Sequence, residues 1–158
     1  MKMFKEIRRK DRILEENLIE PLLEGGEYGF LSMNVINGFG YGVPISFVKQ
    51  GNSIYFHCAP EGYKLACIKE DPNVSFCVVG KTKVQPEKFT TAYESVIVFG
   101  TIDMDLSEEE RFSALRLLVK KYSPDYVEIG EKYIKGSFDR TTVFRLDIKH
   151  ITGKSRQM

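Results

Sequence analysis

The chain has 158 residues, 42% of them hydrophobic and 28% charged, a globular mixture of the size of one domain. Lys and Arg (23) nearly cancel Asp and Glu (22), leaving +1, so no overall charge directs the chain to nucleic acid or an anionic membrane. No apolar run approaches the ~18 residues of a membrane span, and Met1-Lys2-Met3-Phe4 leads into charge instead of an apolar leader. The expectation is a cytoplasmic protein forming a single domain over residues 1–158.

The first twelve residues are basic, with Lys2, Lys5, Arg8, Arg9, Lys10 and Arg12 against Glu6 and Asp11. Asp11 is the expected N-cap of a helix whose apolar stripe is Ile13, Leu14, Leu18, Ile19, Leu22 and Leu23. Pro21 is expected to kink that helix or shorten its last turn, and Gly25-Gly26 to end it. Strands are predicted at Tyr28–Met33, Gly42–Val48 and Ser53–Ala59, joined by the Asn37-Gly38 region and by Gln50-Gly51-Asn52. Gly62 opens a short helix at about Tyr63–Lys69, stopped by Asp71-Pro72-Asn73. Val74–Gly80 reads as a fourth strand, Lys81–Ala92 with Pro86 as a loop, and Glu94–Met104 as a long strand. Ser107 and Glu110 make a capping box for a helix at Glu108–Tyr122, whose acidic first turn and terminal Lys120-Lys121 suit its dipole. Ser123-Pro124-Asp125 breaks it, Tyr126–Ile134 reads as a short helix, and Thr141–Lys149 as the last strand. Six strands, mostly in hairpins with one short helix after the third, exclude a parallel doubly wound sheet, which needs a crossover helix between successive strands. The pattern predicts a mainly β fold, a small antiparallel barrel flanked by helices.

The segment from Ile54 to Lys64 runs from a strand through a turn into a helix N-terminus, where open N–H groups and a partial positive charge suit an anion. Lys64 lies in the first helical turn, where a cation opposes the dipole unless a negative group sits between them. A phosphate resolves that conflict; a surface pair between Glu61 and Lys64, worth at most ~1 kcal/mol, is the alternative. His57 is either a satisfied structural histidine or a group that acts in chemistry. Pro44 removes a ladder donor inside a strand, which marks an edge or a bulge. Backbone near it can face solvent or a planar heterocycle with alternating donors and acceptors. Cys58, Cys67 and Cys77 fit neither a disulfide framework nor a paired zinc motif, and read as small hydrophobes in a reducing compartment. Gly38-Phe39-Gly40-Tyr41-Gly42 links two strands and is not GxGxxG, while Gly153-Lys154-Ser155 lacks the first P-loop glycine, its place held by Ile148.

Several stretches, taken in order, carry more than spacing. They are Arg8-Arg9-Lys10-Asp11-Arg12, Tyr28-Gly29-Phe30-Leu31, Tyr41-Gly42-Val43-Pro44, and Tyr55-Phe56-His57-Cys58-Ala59 with Gly62 and Lys64. Asp71-Pro72-Asn73-Val74-Ser75-Phe76, Tyr93-Glu94-Ser95-Val96 and Gly100 follow. Together they resemble the pyridoxamine 5′-phosphate oxidase-like flavoproteins, in particular the 5-nitroimidazole-resistance (Nim-type) branch, from Arg8 to about Lys154. The resemblance implies a six-stranded antiparallel split β-barrel that binds FMN, as a homodimer with two flavins at the interface. It implies that Val43, Pro44, Ile45 and Ser46, with Tyr41 before them, border the isoalloxazine ring through their backbone. His57, Cys58, Ala59 and Lys64 are implied to hold the ring edge, ribityl chain and phosphate, with Lys64 the strongest phosphate contact. Ser95 is similar in place to a polar flavin contact, and Ile151-Thr152-Gly153-Lys154 resembles a family ending near the flavin.

The parent oxidases hold the phosphate with a Ser-Arg-Lys type cluster, whereas Glu61-Gly62-Tyr63-Lys64 supplies one cation; their cations for pyridoxal phosphate have no match here. The implied function is an FMN-dependent oxidoreductase that reduces small electron-poor compounds such as 5-nitroimidazoles, with His57 as the candidate catalytic residue. The alternatives are a non-catalytic flavin or haem binding protein, with His57 and His150 as its available imidazoles, or a pyridoxamine 5′-phosphate oxidase-related enzyme. The basic N-terminal segment lacks the aromatic interleaving of a nucleic-acid site, and neither nucleic acid nor membrane is expected as a partner.

Overall fold

The computed structural model describes residues 3–35 and 37–157 and is built on one seven-stranded antiparallel sheet. Its strands are β1 (Gly29–Met33), β2 (Tyr41–Ile45), β3 (Val48–Gln50), β4 (Ser53–Cys58), β5 (Asn73–Gln85), β6 (Thr90–Asp103) and β7 (Thr142–Arg156). They lie in the order β2-β1-β5-β6-β7-β4-β3. The helices are α1 (Glu16–Gly25), α2 (Tyr63–Glu70), α3 (Glu108–Tyr122) and α4 (Val127–Ser137). None of the described helices is long and apolar enough to cross a membrane.

β2 and β3 are the two edges of the sheet, yet only Ser46 and Phe47 separate them in the chain. The sheet must therefore curl until its edges approach, which makes a split barrel open along one seam. The expected six strands become seven because the single strand predicted over Gly42–Val48 is broken there, where the chain leaves one edge for the other. Phe47 gives up the ladder at this point, and α3 supplies its partners instead. Its N–H donates to Tyr122 Oη (3.0 Å), Lys121 Nζ donates to its carbonyl (2.9 Å), and Tyr122 Oη donates onward to Glu27 O (2.6 Å). Burial without a carboxylate partner pushes the Lys121 ammonium down to about 8.

Other expectations shift at their ends. The stretch predicted as a loop over Lys81–Ala92 is a continuation of β5 and β6, with Pro86 confined to the turn at the tip, where it costs no ladder bond. β7 runs on to Arg156. Asp11 does not cap α1: its carboxylate takes the Arg9 guanidinium (2.8 and 2.6 Å), and α1 starts at Glu16 without a side-chain cap and continues past Pro21 to Gly25. Ser107 does cap α3, accepting from Glu110 N–H (3.1 Å). The Glu110 carboxylate turns instead to Tyr55 Oη (2.7 Å) and to Arg145.

Strand alternation separates two cores. Leu31, Phe56, Phe76, Val78, Val96, Val98, Phe144 and Leu146 point inward with Leu23 of α1 and Leu65, Cys67 and Ile68 of α2. On the outer side of β3, β4 and β7, Val48 and Val143 pack under α3 and α4 through Ala114, Leu115, Leu118, Ile134 and Phe138. Among the described residues no helix covers the outer side of β1, β5 and β6; there Phe4 packs on Phe99 (centroids 5.2 Å apart), and Phe30, Val79 and Ile97 stand exposed.

Candidate functional site

The site grows from the end of β4. After Cys58 the chain turns through Ala59-Pro60-Glu61 to Gly62, whose φ of +152° is a conformation that L side chains rarely adopt and from which α2 departs. No side chain caps α2, and the first amide bonded back is that of Ala66, onto Gly62 O (3.2 Å). The amides of Tyr63, Lys64 and Leu65 have no partner among the described residues, so the helix presents open donors and the positive end of its dipole. Lys64 stands beside them and forms no ion pair among the described residues; the alternative pair with Glu61 is not made.

Lys64 is close enough to act on the end of β4. Partial burial pushes the His57 imidazole below its ordinary value, and the Lys64 charge adds to the shift. The same burial raises the Cys58 thiol, against the pull of Lys64. A neutral His57 favours the fold above pH 6.5, the ordinary imidazole value, and that contribution is lost as pH falls through the lower folded value. A dianion bound at α2 offsets the ammonium field. Saturation with inorganic phosphate should therefore raise the His57 pKa in an imidazole NMR titration; an unmoved value would separate His57 from the anion.

The second wall is β2. Among the described residues it pairs only with β1, so the expectation that Pro44 marks an edge holds, with Pro44 opposite Phe30. Tyr41, Val43 and Ile45 pack against the inner core, while Pro44 and Ser46 are exposed. What β2 offers along its free edge is therefore backbone. The edge-on contact of the Tyr41 and Tyr63 rings (centroids 4.8 Å apart) ties its start to the opening of α2.

The third wall was not visible in the sequence. His57 alternates with the buried Ile54 and Phe56, so it points to the outer side of β4. There it lines a cleft of about 390 Å³ with Ser46 and with Leu115, Leu118 and Val119 of α3 and Tyr133 and Ile134 of α4. Among the described residues, no Lys, Arg, Asp or Glu lines this cleft. The limits of α3 were legible; the sheet face that it would cover was not.

A family model described as pyridoxamine 5′-phosphate oxidase matches residues 15–155. The chain belongs to that family. Its fold is shared with a protein from Bacteroides thetaiotaomicron provisionally assigned to 5-nitroimidazole antibiotic resistance (21% identity, 91% of this chain and 86% of that one, TM-score 0.73). An FAD and haem binding protein from Mycobacterium smegmatis is similar (17% identity, 91% and 72% coverage, TM-score 0.79). So is an FAD-binding protein from Mesorhizobium loti (19% identity, 91% and 95% coverage, TM-score 0.62). No curated protein sequence matches the chain.

In this pyridoxamine 5′-phosphate oxidase-family chain, Lys64, His57 and Cys58 come together, as do Ser46 and His57, and Ala59 lies in the turn between β4 and α2. Ser95 does not join them. It sits on β6 opposite Val79 and Lys154, three strands from β2, or about 14 Å at the usual spacing. Along β7, Lys154 is ~40 Å of strand from Thr142, the partner of Cys58. Ile151–Lys154 share that remote end. The outer side of β6 that carries Ser95 also carries Ile97, in the uncovered region of the sheet.

The residues present fit a flavin nucleotide. Open amides and a cation with no ion-pair partner among the described residues suit its phosphate, and an edge strand suits the alternating donors and acceptors of its ring.

Proposed function

We propose that the chain binds FMN and acts as an FMN-dependent oxidoreductase on small electron-poor compounds such as 5-nitroimidazoles. The observation that carries this reading is Lys64, which forms no ion pair among the described residues and stands in the first turn of a helix whose opening amides have no partner among them. A terminal phosphate dianion takes charge-assisted hydrogen bonds from both and removes the conflict between the cation and the dipole. β2 orients the ring through its backbone between Tyr41 and Ser46, and Cys58 and Ala59 border its edge. When bound, the flavin supplies the redox chemistry. His57, neutral at pH 7, is placed where β4 meets the cleft and can carry a proton between solvent and a substrate held there.

The cleft supports the substrate class. Its walls are aliphatic and aromatic with hydroxyls from Ser46, Ser137 and Thr141, which suits an uncharged ring and offers no cation to a phosphorylated vitamin. The uncovered apolar face of Phe30, Val79 and Ile97 supports a homodimer, and Ser95 of a second copy is the natural source of the polar contact that one chain does not bring to its own site.

Anaerobic reduction of the FMN-loaded protein followed by 2-methyl-5-nitroimidazole tests the reading. Recovery of the oxidised-flavin absorbance is the expected result; an absorbance that stays bleached removes this substrate class. A Soret band in the untreated protein would replace flavin by haem.

A further inference from the structure

With no Lys, Arg, Asp or Glu among the described residues that line it, the cleft at His57 must select a ligand through its hydroxyls. Each hydroxyl carries one proton and two lone pairs. Two of those in the cleft have that proton committed to the main chain. Ser137 Oγ donates to Tyr133 O (2.8 Å) and Thr141 Oγ1 donates to Ser137 O (2.8 Å). Both bonds reach back four residues, a habit of such side chains on helices. Toward the cleft these two oxygens can only accept. The Tyr122 hydroxyl is committed as well, donating to Glu27 O (2.6 Å) and accepting from Phe47 N–H (3.0 Å).

The two flanks of the cleft differ in this respect. β4 lies between β3 and β7, so His57 separates a β3 flank from a β7 flank. Ser46 is on the first, next to Phe47, and Ser123 joins it there because it follows Tyr122, which bonds Phe47. The Ser46 and Ser123 hydroxyls have no partner among the described residues, so their protons remain available to a ligand. Thr141 is on the second flank, beside the Cys58–Thr142 pair of β4 and β7, and its bond to Ser137 O places Ser137 with it. His57, neutral at pH 7, offers one donor and one acceptor between them. The cleft is therefore polarised without charge, with hydroxyl donors on one flank and acceptors on the other.

We propose that the cleft selects, among uncharged nitroheteroaromatic rings, those that keep a ring N–H, with Ser137 and Thr141 as the specificity-determining residues. The ring N–H donates to their oxygens. The nitro group, which only accepts, takes the protons of Ser46 and Ser123 on the other flank. Replacing the N–H by N–CH3 covers the two acceptors with a methyl group and leaves them without a partner. A site built to hydrogen-bond a ligand rejects the analogue that lacks the bonding group, because its own polar atoms are then desolvated and unpaired. A phosphate or carboxylate fails on the same flank, as an acceptor set against acceptors. The inference rests on reading the cleft as the substrate site and narrows the class of compound that it takes.

The test titrates two probes, 2-methyl-5-nitroimidazole and 1,2-dimethyl-5-nitroimidazole, against the full chain by ligand-observed NMR, which needs no turnover. The N–H probe should bind at least ~10-fold more tightly. Ser137→Ala with Thr141→Val, which removes both hydroxyls, should weaken the N–H probe about tenfold and leave the N-methyl probe where it was. That pattern separates a lost hydrogen bond from a methyl group that does not fit. Thr141→Ser, which keeps a hydroxyl, should preserve the preference and serves if the double variant does not fold. Equal affinities of the parent chain for the two probes, or a preference that survives the double variant, overturns the selection. Flavin content measured on the same samples reports on the FMN reading separately. A flavin-free chain that still prefers the N–H probe contradicts only that reading, and a flavin-loaded chain that binds neither probe overturns the selection while FMN binding stands.

Discussion

Lys64→Glu should cost the chain its flavin. The substitution removes a charge-assisted hydrogen bond, worth ~1.5–3 kcal/mol, and sets a carboxylate against a phosphate dianion, a repulsion of about 4 kcal/mol at ~4 Å near a protein surface. Each 1.4 kcal/mol is roughly tenfold, so FMN affinity is expected to fall at least ~100-fold in a fluorescence titration. The fold should not suffer. α2 has no acidic residue in its first turn, and a Glu there suits the dipole better than the native lysine. The cofactor-free variant should therefore melt at or slightly above the parent temperature, which separates lost binding from lost structure. Undiminished flavin occupancy would remove Lys64 as the anchor.

Phe76→Ala should be the most damaging single change to stability. The Phe76 ring meets Phe47 (4.9 Å between centroids) and Phe56 (5.1 Å), and Phe56 stacks on Phe144 (5.1 Å), all fully buried. It also fills the space above Gly29, where a Cβ would come within 2.4 Å of it. Through Phe47 this cluster reaches the seam between β2 and β3. Truncation of a buried phenylalanine costs ~3–5 kcal/mol, a large share of the ~5–15 kcal/mol that holds a domain together. Urea denaturation should show that loss in the midpoint; a change below ~1 kcal/mol would mean that the aromatic cluster does not hold the seam.

What the sequence made legible follows from which signals are local. α3 falls at Glu108–Tyr122 as expected because its start is marked by Ser107 and three acids and its end by Ser123-Pro124. β1 and β4 fall within a residue of their predicted limits, since alternation and turn residues bound them. The break at Ser46-Phe47 was not legible. Apolar residues continue through Val43–Val48, and only the arrival of Tyr122 and Lys121 from far along the chain shows that Phe47 bonds outside the ladder. The ribbon beyond Gly80 was missed for a related reason: its lysines and threonines carry little alternation, and its pairing is imposed by the neighbouring strand. At the candidate site, Gly62 and Lys64 mark in the sequence itself the helix start where the open amides and the lysine meet. The α3–α4 wall opposite His57 depends on which sheet face two helices cover, and the distance of Ser95 from that pocket depends on register along β7. Neither is written locally.

The direct test of the central claim compares FMN with riboflavin, which differ only in the phosphate. Titrated against the same cofactor-free protein, FMN should saturate at one molecule per chain and riboflavin should bind at least ~100-fold more weakly, because the proposed roles of Lys64 and the start of α2 are both to hold the phosphate. Equal affinities, or no binding of either, would contradict the account.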